Sequence, residues 1–482
     1  MVNALVIAGT HSGVGKTTVT MGLLSALKRR GMIAQGFKVG PDFIDPGFHS
    51  AVTGRPAYNL DGWMLDPDTN REIFATAAAG ADVAVVEGMM GLFDGASGAG
   101  ESGSTSEMAK CLNIPVVLVI DATAQARSAA ALVHGFETFD PALRVVAVVA
   151  NNVAGEGHYR YLRDAIGGSC RAELIGWLPR NAEAELPSRH LGLVTAAEAL
   201  SKFRADVLAE WLEKGIDLDR LLELSAAGIA ESAAPIDQAN FAQAAGSDAP
   251  LAGPKVRIGV ARDRAFCFYY ESNLKLLEQS GATLVTWSPM DDPLPDGLHG
   301  LYFGGGYPEL YAARLSANAQ ARSALAAFIE QGGAVYAECG GLMYLTEAIV
   351  DTDGTQYPMV GIFPTRARMR KQLTAIGYVE VEGISTSGQA PLPQGETARG
   401  HQFRYSEIDP VPETVARSYH IKSRGSYGAP NREGYVMNNC LASYVHLHFL
   451  SNPEFAARWV DGCRRSNITT QAKARGSRPP GA

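Results

Sequence analysis

The stretch that most constrains the fold of this chain is "LVIAGTHSGVGKTTVTMGLLSAL", residues 5–27. An apolar run leads into a glycine-rich loop, and Lys-Thr then opens a segment with helical spacing of apolar residues. Glycines allow backbone N–H groups to converge on phosphate oxygens, and the start of a helix adds partial positive charge. The stretch therefore predicts a strand, a phosphate-binding loop and a helix within a parallel α/β sheet.

This loop departs from the strict pattern G-x-x-x-x-G-K-[ST] at one position. Thr10 stands six residues before Lys16, where the pattern has its first glycine. We keep the phosphate assignment, with Lys16 on the terminal phosphates and Thr17 as a ligand of Mg²⁺, but we do not expect an ordinary motor or switch ATPase. A glycine-rich turn without a phosphate is the alternative. The residues assigned to ATP binding are Gly13, Gly15, Lys16, Thr17 and Thr18.

Composition narrows the class of protein. A chain of 482 residues predicts two domains, and the net charge of -8 argues against nucleic acid or an anionic membrane as a partner. No apolar run approaches the roughly 20 residues of a membrane helix, and the start has neither a basic region nor a cleavage site. We therefore expect a cytoplasmic protein. The six cysteines are spread without C-x-x-C spacing, so they predict neither a zinc site nor a disulfide framework.

The order of apolar runs predicts two α/β domains. In the first half, short β-branched runs alternate with helical patterns, which is typical of a parallel sheet with crossover helices. Residues 225–254 are rich in Ala, Gly, Ser and Pro and predict a linker. A second alternation of strand and helix patterns follows this linker. The expected organisation is an ATP- and substrate-binding domain over 1–224, the linker, a second domain over 255–463 and a disordered tail over 464–482.

Carboxylates follow two further strands of the first domain. Lys38 comes just after a short strand and precedes Asp42 and Asp45 in a loop rich in Pro and Gly, and the apolar run "DVAVVEG" ends on Glu87. Ligands of α/β proteins bind at the carboxyl ends of strands, and a buried carboxylate is costly unless it holds a cation. We expect Glu87 and Thr17 to bind Mg²⁺, with Asp42 or Asp45 completing the site, and we place these carboxylates and Lys38 where the substrate is activated. A turn cap for Asp42 and a salt bridge for Glu87 are the alternatives.

The second domain carries a candidate nucleophile in "GGAVYAECGGLMYL". The pattern predicts a strand that delivers Cys339 into a Gly-Gly turn before a helix, which exposes the thiol and favours thiolate. The backbone N–H of Gly340 would face a developing oxyanion, and the glycines of "YFGGGYPE", in particular Gly305 and Gly306, would complete the oxyanion hole. A buried core cysteine is the alternative.

A cysteine nucleophile needs a base, and "SYVHLHFL" supplies His446 and His448. Two residues apart in a strand, they lie on the same side, so spacing alone does not choose between them.

These motifs together resemble a known family. The pattern G-T-x-x-x-V-G-K-T resembles the phosphate loop of dethiobiotin synthetase, which activates a carboxylate with ATP and also has Thr at the position of Thr10. The longer string "AGTHSGVGKTTVTMGLL…FKVGPDFIDPGFHSAVTGRPAYNLDGWML…VEGMMGLFDG" resembles the cobyrinic acid a,c-diamide synthase family, whose amino-terminal domain has the dethiobiotin synthetase fold. The second half resembles the family's triad-type class I glutamine amidotransferase domain. The resemblance covers nearly the whole chain except the linker and tail.

The resemblance implies roles for residues of the second domain. It implies Cys339 as the nucleophile and favours His446, which matches the family segment S-Y-x-H. His448 stands where many class I glutaminases have a Glu, and Glu454 is no secure substitute. The segment "RGHQFRYS" also matches the family, with Gln402 in place of an expected Glu, and we assign it no role.

The resemblance also implies the reaction. ATP would phosphorylate a substrate carboxylate, and ammonia released from L-glutamine would attack the acyl phosphate to give an amide, because phosphate is an acceptable leaving group and oxide is not. The implied substrate is cobyrinate, amidated on its a and c acetates in cobalamin biosynthesis. Metal-free hydrogenobyrinate, nickel-sirohydrochlorin and the cobyric acid synthase reaction are alternatives, and a P-loop ATPase switch with an inactive glutaminase domain is a distant one. The expected partners are the corrin, ATP and glutamine, with a homodimer as the assembly considered.

Overall fold

The computed structural model describes residues 2–181, 204–226, 255–387, 390–422 and 432–476. The chain forms two compact units, Met1–Asp237 and Gln238–Ala482. This division falls inside the predicted linker, of which residues 227–254 lie outside the described residues. Both units are α/β, and the first is built on a parallel sheet, so the predicted fold class is confirmed.

The first unit contains a seven-stranded sheet in the order β3-β2-β4-β1-β5-β6-β7, and every neighbouring pair is parallel. The strands are β1 Asn3–Gly9, β2 Ala34–Val39, β3 Tyr58–Leu60, β4 Val83–Glu87, β5 Val116–Asp121, β6 Val145–Asn151 and β7 Glu173–Leu178. The helices are α1 Lys16–Arg29, α2 Ile44–Thr53, α3 Pro67–Ala78, α4 Thr105–Leu112, α5 Ser128–Phe139, α6 Glu156–Gly167, α7 Ala205–Gly215 and α8 Leu218–Ala226.

The central strands of this sheet are almost wholly buried, as expected for a parallel sheet covered by helices. Strand β1 lies between β4 and β5 near the centre, and β2 lies on the far side of β4. The register pairs Glu87, the last residue of β4, with Ile7 of β1 and with Lys38 of β2. Three carboxyl ends of strands, and the loops that follow them, therefore meet at one edge of the sheet.

The second unit contains a ten-stranded mixed sheet in the order β21-β16-β15-β18-β19-β20-β11-β10-β8-β9 and a smaller sheet in the order β13-β12-β14-β17. The strands are β8 Val256–Ala261, β9 Ala282–Trp287, β10 Gly300–Phe303, β11 Ala334–Glu338, β12 Thr346–Val350, β13 Gln356–Pro358, β14 Phe363–Met369, β15 Ala375–Gly383, β16 Thr397–Arg404, β17 Ser406–Ile408, β18 Ala416–Ile421, β19 Arg432–Met437, β20 Cys440–Ser443 and β21 His446–Leu447. The helices are α9 Glu271–Gln279, α10 Ala312–Ala317, α11 Ala319–Glu330, α12 Gly340–Leu345 and α13 Pro453–Gly476, with a short 3₁₀ turn at Phe449–Ser451.

The parallel part of the large sheet, β9-β8-β10-β11-β20, carries the core of the second unit. Strand β11 is buried along its whole length and ends at Glu338, directly before Cys339. The loop after β10 and the loop after β11 therefore emerge side by side, since these two strands are parallel neighbours.

Helix α13 continues past residue 463, where the sequence predicts the second domain to end. Residues 464–476 of the expected tail are therefore helical. The polar composition that suggested disorder contains no proline or glycine until Gly476, so nothing local interrupts the helix before that point. Among the residues that the structure describes, no helix has the length and apolar character needed to cross a membrane.

Candidate functional site

The phosphate loop joins β1 to α1 as a tight turn. Gly13 and Gly15 have φ of +84° and +101°, a region that favours glycine. A Cβ on Gly15 would lie 2.3 Å from the side-chain nitrogen of Asn151, whose amide donates a 2.9 Å hydrogen bond to the carbonyl of Val14. Asn151, at the end of β6, thus holds the loop from the other side of β5.

The side chains at the start of α1 lie at the same edge of the sheet. Lys16 is buried and donates to the carbonyl of His11 at 3.2 Å. Burial, followed by the nearby charge of Lys38, lowers the pKa of Lys16 to about 8. Thr17 donates its hydroxyl to Glu87 Oε1 at 2.7 Å, and Thr18 beside it is half-buried.

Next to Thr17 lies a buried charge cluster formed by Lys38, Asp45, His49 and Glu87. Lys38 Nζ lies 2.7 Å from Asp45 Oδ2 and 2.9 Å from Glu87 Oε1, and His49 Nε2 lies 2.7 Å from Glu87 Oε2. No side chain of the cluster is more than 5% exposed. The structure thus brings Thr17 and the predicted Lys38, Asp45 and Glu87 together.

The charges of this cluster support one another. Burial opposes the charge of Lys38, but Asp45 and Glu87 outweigh burial and raise the Lys38 pKa above its ordinary value. Burial likewise opposes the charge of Glu87, but Lys38 and His49 outweigh it and hold the Glu87 pKa well below the usual carboxyl range. Lys38 and Glu87 are therefore both ionised at neutral pH.

The expected loop position of Asp45 is wrong, because Asp45 lies in the first turn of α2. Asp42 Oδ1 accepts the backbone N–H groups of Ile44 and Asp45 at 2.7 and 3.0 Å, which starts the helix, and Pro46 is tolerated in a first turn. The turn cap weighed for Asp42 and the ion pair weighed for Glu87 are both observed. Neither contact excludes a further role.

Sequence reasoning missed His49. A signal was available, since His49 follows Asp45 by four residues in "DPGFH", and residues four apart share one face of a helix. The helix over Ile44–Thr53 was not predicted, so this spacing could not be used.

Whether the cluster suits Mg²⁺ depends on the oxygen atoms that it offers. Among the described residues, no group of three or more His, Cys, Asp and Glu side chains is arranged to hold a metal. The Thr17 hydroxyl and a Glu87 carboxylate oxygen do lie side by side, and Mg²⁺ prefers such oxygen ligands together with phosphate. Asp45 faces Lys38 instead, and Asp42 faces backbone N–H groups. Thr17 and Glu87 thus offer oxygen atoms of the right chemistry, and the roles of Thr17, Asp42, Asp45 and Glu87 as ligands stay predictions.

In the second unit, Cys339 sits at a strained turn between β11 and α12. Its φ of +48° is rare for a residue with a side chain. The backbone is fixed there, since Cys339 N–H donates to the carbonyl of Ser443 at 2.7 Å and its carbonyl accepts from Met343 N–H at 3.1 Å. Burial, and then the neighbouring Glu309, raises the pKa of the Cys339 thiol to about 12, although the N–H of Gly340 hydrogen-bonds to the sulfur and opposes this rise.

The glycines predicted for the oxyanion hole lie close to this turn. An added Cβ on Gly340 would approach the backbone nitrogen of Gly306 at 3.2 Å. The Gly305 carbonyl accepts the N–H groups of Cys267 and Phe268, both at 3.0 Å, so the loop after β10 is tied to a neighbouring segment. The structure thus groups Gly305, Gly306 and Gly340 near Cys339.

The two histidines occupy different surroundings. An added Cβ on Gly305 would meet Cε1 of His446 at 2.3 Å, so this imidazole lies against the glycine loop. The ring of His448 packs on Tyr270, with centroids 4.6 Å apart, and neither of its ring nitrogens has a hydrogen-bond partner among the described residues. Burial lowers the pKa of both histidines to about 3. The two side chains lie in different surroundings because strand β21 ends after residue 447, so His448 is no longer part of the strand.

Two buried residues beside His446 were not predicted. His401 stacks on the His446 ring with centroids 4.9 Å apart, and it is the cross-strand partner of His446. Glu338 lies with Oε2 4.0 Å from His446 Nδ1. Glu338 directly precedes Cys339, but a strand residue next to a nucleophile gives no sign of which distant histidine it faces.

The fold and the two sites define a class of protein: a glutamine amidotransferase domain joined in one chain to a nucleotide-binding domain. Residues 5–194 match the family described as the CobQ/CobB/MinD/ParA nucleotide binding domain. Residues 257–454 match the CobB/CobQ-like glutamine amidotransferase domain.

Comparison with curated proteins identifies the family. The chain is 45% identical over 465 residues to a cobyrinate a,c-diamide synthase of Syntrophotalea carbinolica, which covers 95% of this chain and 98% of that protein. Proteins of the same name from Priestia megaterium and Salmonella typhimurium are 43% and 41% identical, covering 95% and 96% of this chain and 97% and 98% of theirs. The chain belongs to the cobyrinate a,c-diamide synthase family and is an enzyme of the ligase class. The family resemblance inferred from its motifs is confirmed.

Proposed function

We propose that this enzyme amidates the a and c acetate carboxylates of cobyrinate to give cobyrinate a,c-diamide, using ATP and L-glutamine. The observation that carries the proposal is the presence, in one chain, of a phosphate loop beside a buried charge cluster and of a Cys-His site beside a glycine loop. The names of relatives that match over nearly the full chain support the corrin substrate.

In the glutaminase half, Cys339 attacks the side-chain amide carbon of glutamine as its proton passes to His446. The tetrahedral oxyanion is stabilised by N–H groups of the glycine loop and Gly340. His446 then donates its proton to the leaving nitrogen, the C–N bond breaks, and ammonia departs. Water hydrolyses the resulting thioester to glutamate, which restores the thiol. At rest the proton stays on the thiol, because burial disfavours both the thiolate and the imidazolium.

In the synthetase half, an acetate oxygen of the substrate attacks the γ-phosphorus of ATP, and ADP leaves. Ammonia then adds to the carbonyl carbon of the acyl phosphate, and phosphate departs with the C–O electron pair and takes up the proton that nitrogen loses as the amide forms. Lys16 would bind the terminal phosphates, and Lys38 is held as a cation between Asp45 and Glu87 in the neighbouring cluster. Thr17 and Glu87 would hold Mg²⁺, which supplies charge neutralisation on the phosphates.

The test is glutamine-dependent ADP release, screened with cobyrinate, hydrogenobyrinate and nickel-sirohydrochlorin. We expect stimulation by cobyrinate and a product two amides heavier by mass spectrometry. Preference for either other tetrapyrrole would replace the substrate but keep the reaction, and no stimulation by any of the three would reject the proposal. The control is Cys339→Ala, which should lose amidation with glutamine and keep it with ammonium chloride.

A further inference from the structure

Beside the candidate catalytic pair lies a buried carboxyl group to which no role has been given. Glu338 is 1% exposed, and its two oxygens receive three hydrogen bonds. Oε1 accepts from the Tyr336 hydroxyl at 2.9 Å and from the N–H of Leu447 at 3.1 Å, and Oε2 accepts from the Tyr302 hydroxyl at 3.0 Å. These donors leave the carboxyl little freedom to turn.

Glu338 Oε2 also faces His446, whose Nδ1 lies 4.0 Å away. The Leu447 N–H that binds Oε1 belongs to the residue after His446, so the carboxyl is tied to the same two-residue strand that carries the imidazole. With Nδ1 on the Glu338 side, Nε2 is the nitrogen that the proposed mechanism assigns to the thiol proton. Separations at catalytic pairs shorten when substrate is bound.

The residue two positions beyond His446 cannot act as an acidic partner of this imidazole. Two residues beyond His446 the chain has His448, a neutral imidazole packed on Tyr270. A carboxylate is needed where positive charge develops, since a buried imidazolium is costly without a negative partner. Among the titratable groups described near His446, His401 and His448 are held neutral by burial, and Glu338 is the acid within 4.0 Å.

We propose that Glu338 is the positioning residue of the glutaminase site, a carboxyl reached from the strand before the nucleophile that orients His446 and stabilises its imidazolium. This rests on the proposed roles of Cys339 and His446. Burial raises the pKa of Glu338 to about 8 and so disfavours its carboxylate while His446 is neutral. A positive charge on His446, gained when it takes the thiol proton, opposes this rise and favours the carboxylate.

The experiment compares Glu338→Gln with a matched control, Glu433→Gln. Glu433 is also 1% exposed and accepts two hydrogen bonds, from the Ser443 hydroxyl and the Tyr444 N–H, both at 2.7 Å. We expect E338Q to lower the glutaminase kcat by roughly 10- to 100-fold, less than the ~10⁴-fold known for a directly bonded triad carboxylate. The KM for glutamine should stay within about threefold, and ammonia-dependent amidation and the thermal unfolding midpoint should be unchanged.

A double variant separates positioning from mere support of the fold. If Glu338 acts through His446, then E338Q adds no further loss of kcat in an H446A background. An additive loss in the double variant, an equal loss in E433Q, or an E338Q rate within twofold of wild type would each overturn the proposal. Wild-type enzyme without glutaminase activity would instead reject the proposed function itself, so the two failures are distinguishable.

Discussion

Removing the positive charge of the buried charge cluster is the sharpest test of how the first unit is held together. In Lys38→Met the side chain keeps a similar volume, but Asp45 and Glu87 lose the ammonium that lies 2.7 and 2.9 Å from them. Breaking a buried pair by removing one partner typically costs about 3–5 kcal/mol, because an uncompensated charge is left in the interior. His49 remains on Glu87 and moderates the loss at that carboxylate only.

The chain offers a matched control at the surface of the same unit. Lys110 also bridges two carboxylates, Glu101 and Asp140, with both contacts at 2.5 Å, but its side chain is 24% exposed. Exposed pairs contribute about 0–1 kcal/mol each, so Lys110→Met should cost less than about 2 kcal/mol. For a unit of this size each kcal/mol shifts the unfolding midpoint by about 2–4 °C, so K38M should unfold roughly 6–20 °C lower than wild type.

The assay is calorimetric unfolding at pH 7, with the transition of the first unit identified by its shift when ATP is added. The pH dependence follows from the direction in which folding shifts the Glu87 pKa. Because folding lowers this pKa, the stabilisation is present above 4.5, the ordinary carboxyl value, and is lost as pH falls below it. The penalty in K38M should therefore shrink below pH 4.5. A K38M shift no larger than that of K110M would refute the view that this cluster is a tightly coupled buried pair.

Three further outcomes are expected. Gly305→Ala should lower glutaminase kcat by at least about 100-fold, because its methyl would meet the His446 ring at 2.3 Å, whereas Gly462→Ala, in a helix with no atom closer than 4.0 Å, should be neutral. Alkylation of Cys339 by iodoacetamide without glutamine should rise about tenfold per pH unit from pH 7 to 9 and reach no plateau, since its thiol pKa is raised to about 12; a plateau near pH 7 would contradict a neutral resting thiol. Asp45→Asn should impair ATP-dependent amidation and spare glutaminase, and normal amidation would remove Asp45 from substrate activation.

Local motifs carried most of what could be predicted. The order strand, glycine loop, Lys-Thr, helix predicted β1 and α1, and "AECGG" predicted that Cys339 lies between a strand and a helix. Both depend on neighbours a few residues away, which is where sequence patterns are informative. The loop position of Asp45 was wrong because two local signals compete there. Asp42 accepts two backbone hydrogen bonds at the start of α2, the Pro/Gly composition favours a loop, and pattern alone did not rank these signals.

The sequence by itself determined the two α/β domains and the types of side chain that end their strands. Only the tertiary structure decided which charges meet. Lys38 reaches Glu87 because β2 and β4 are neighbours, and Glu338 faces His446 across more than a hundred residues of chain. The physical reason is burial: a charge removed from water is stable only beside a partner, and the partner is chosen by strand order and register, which no local pattern encodes.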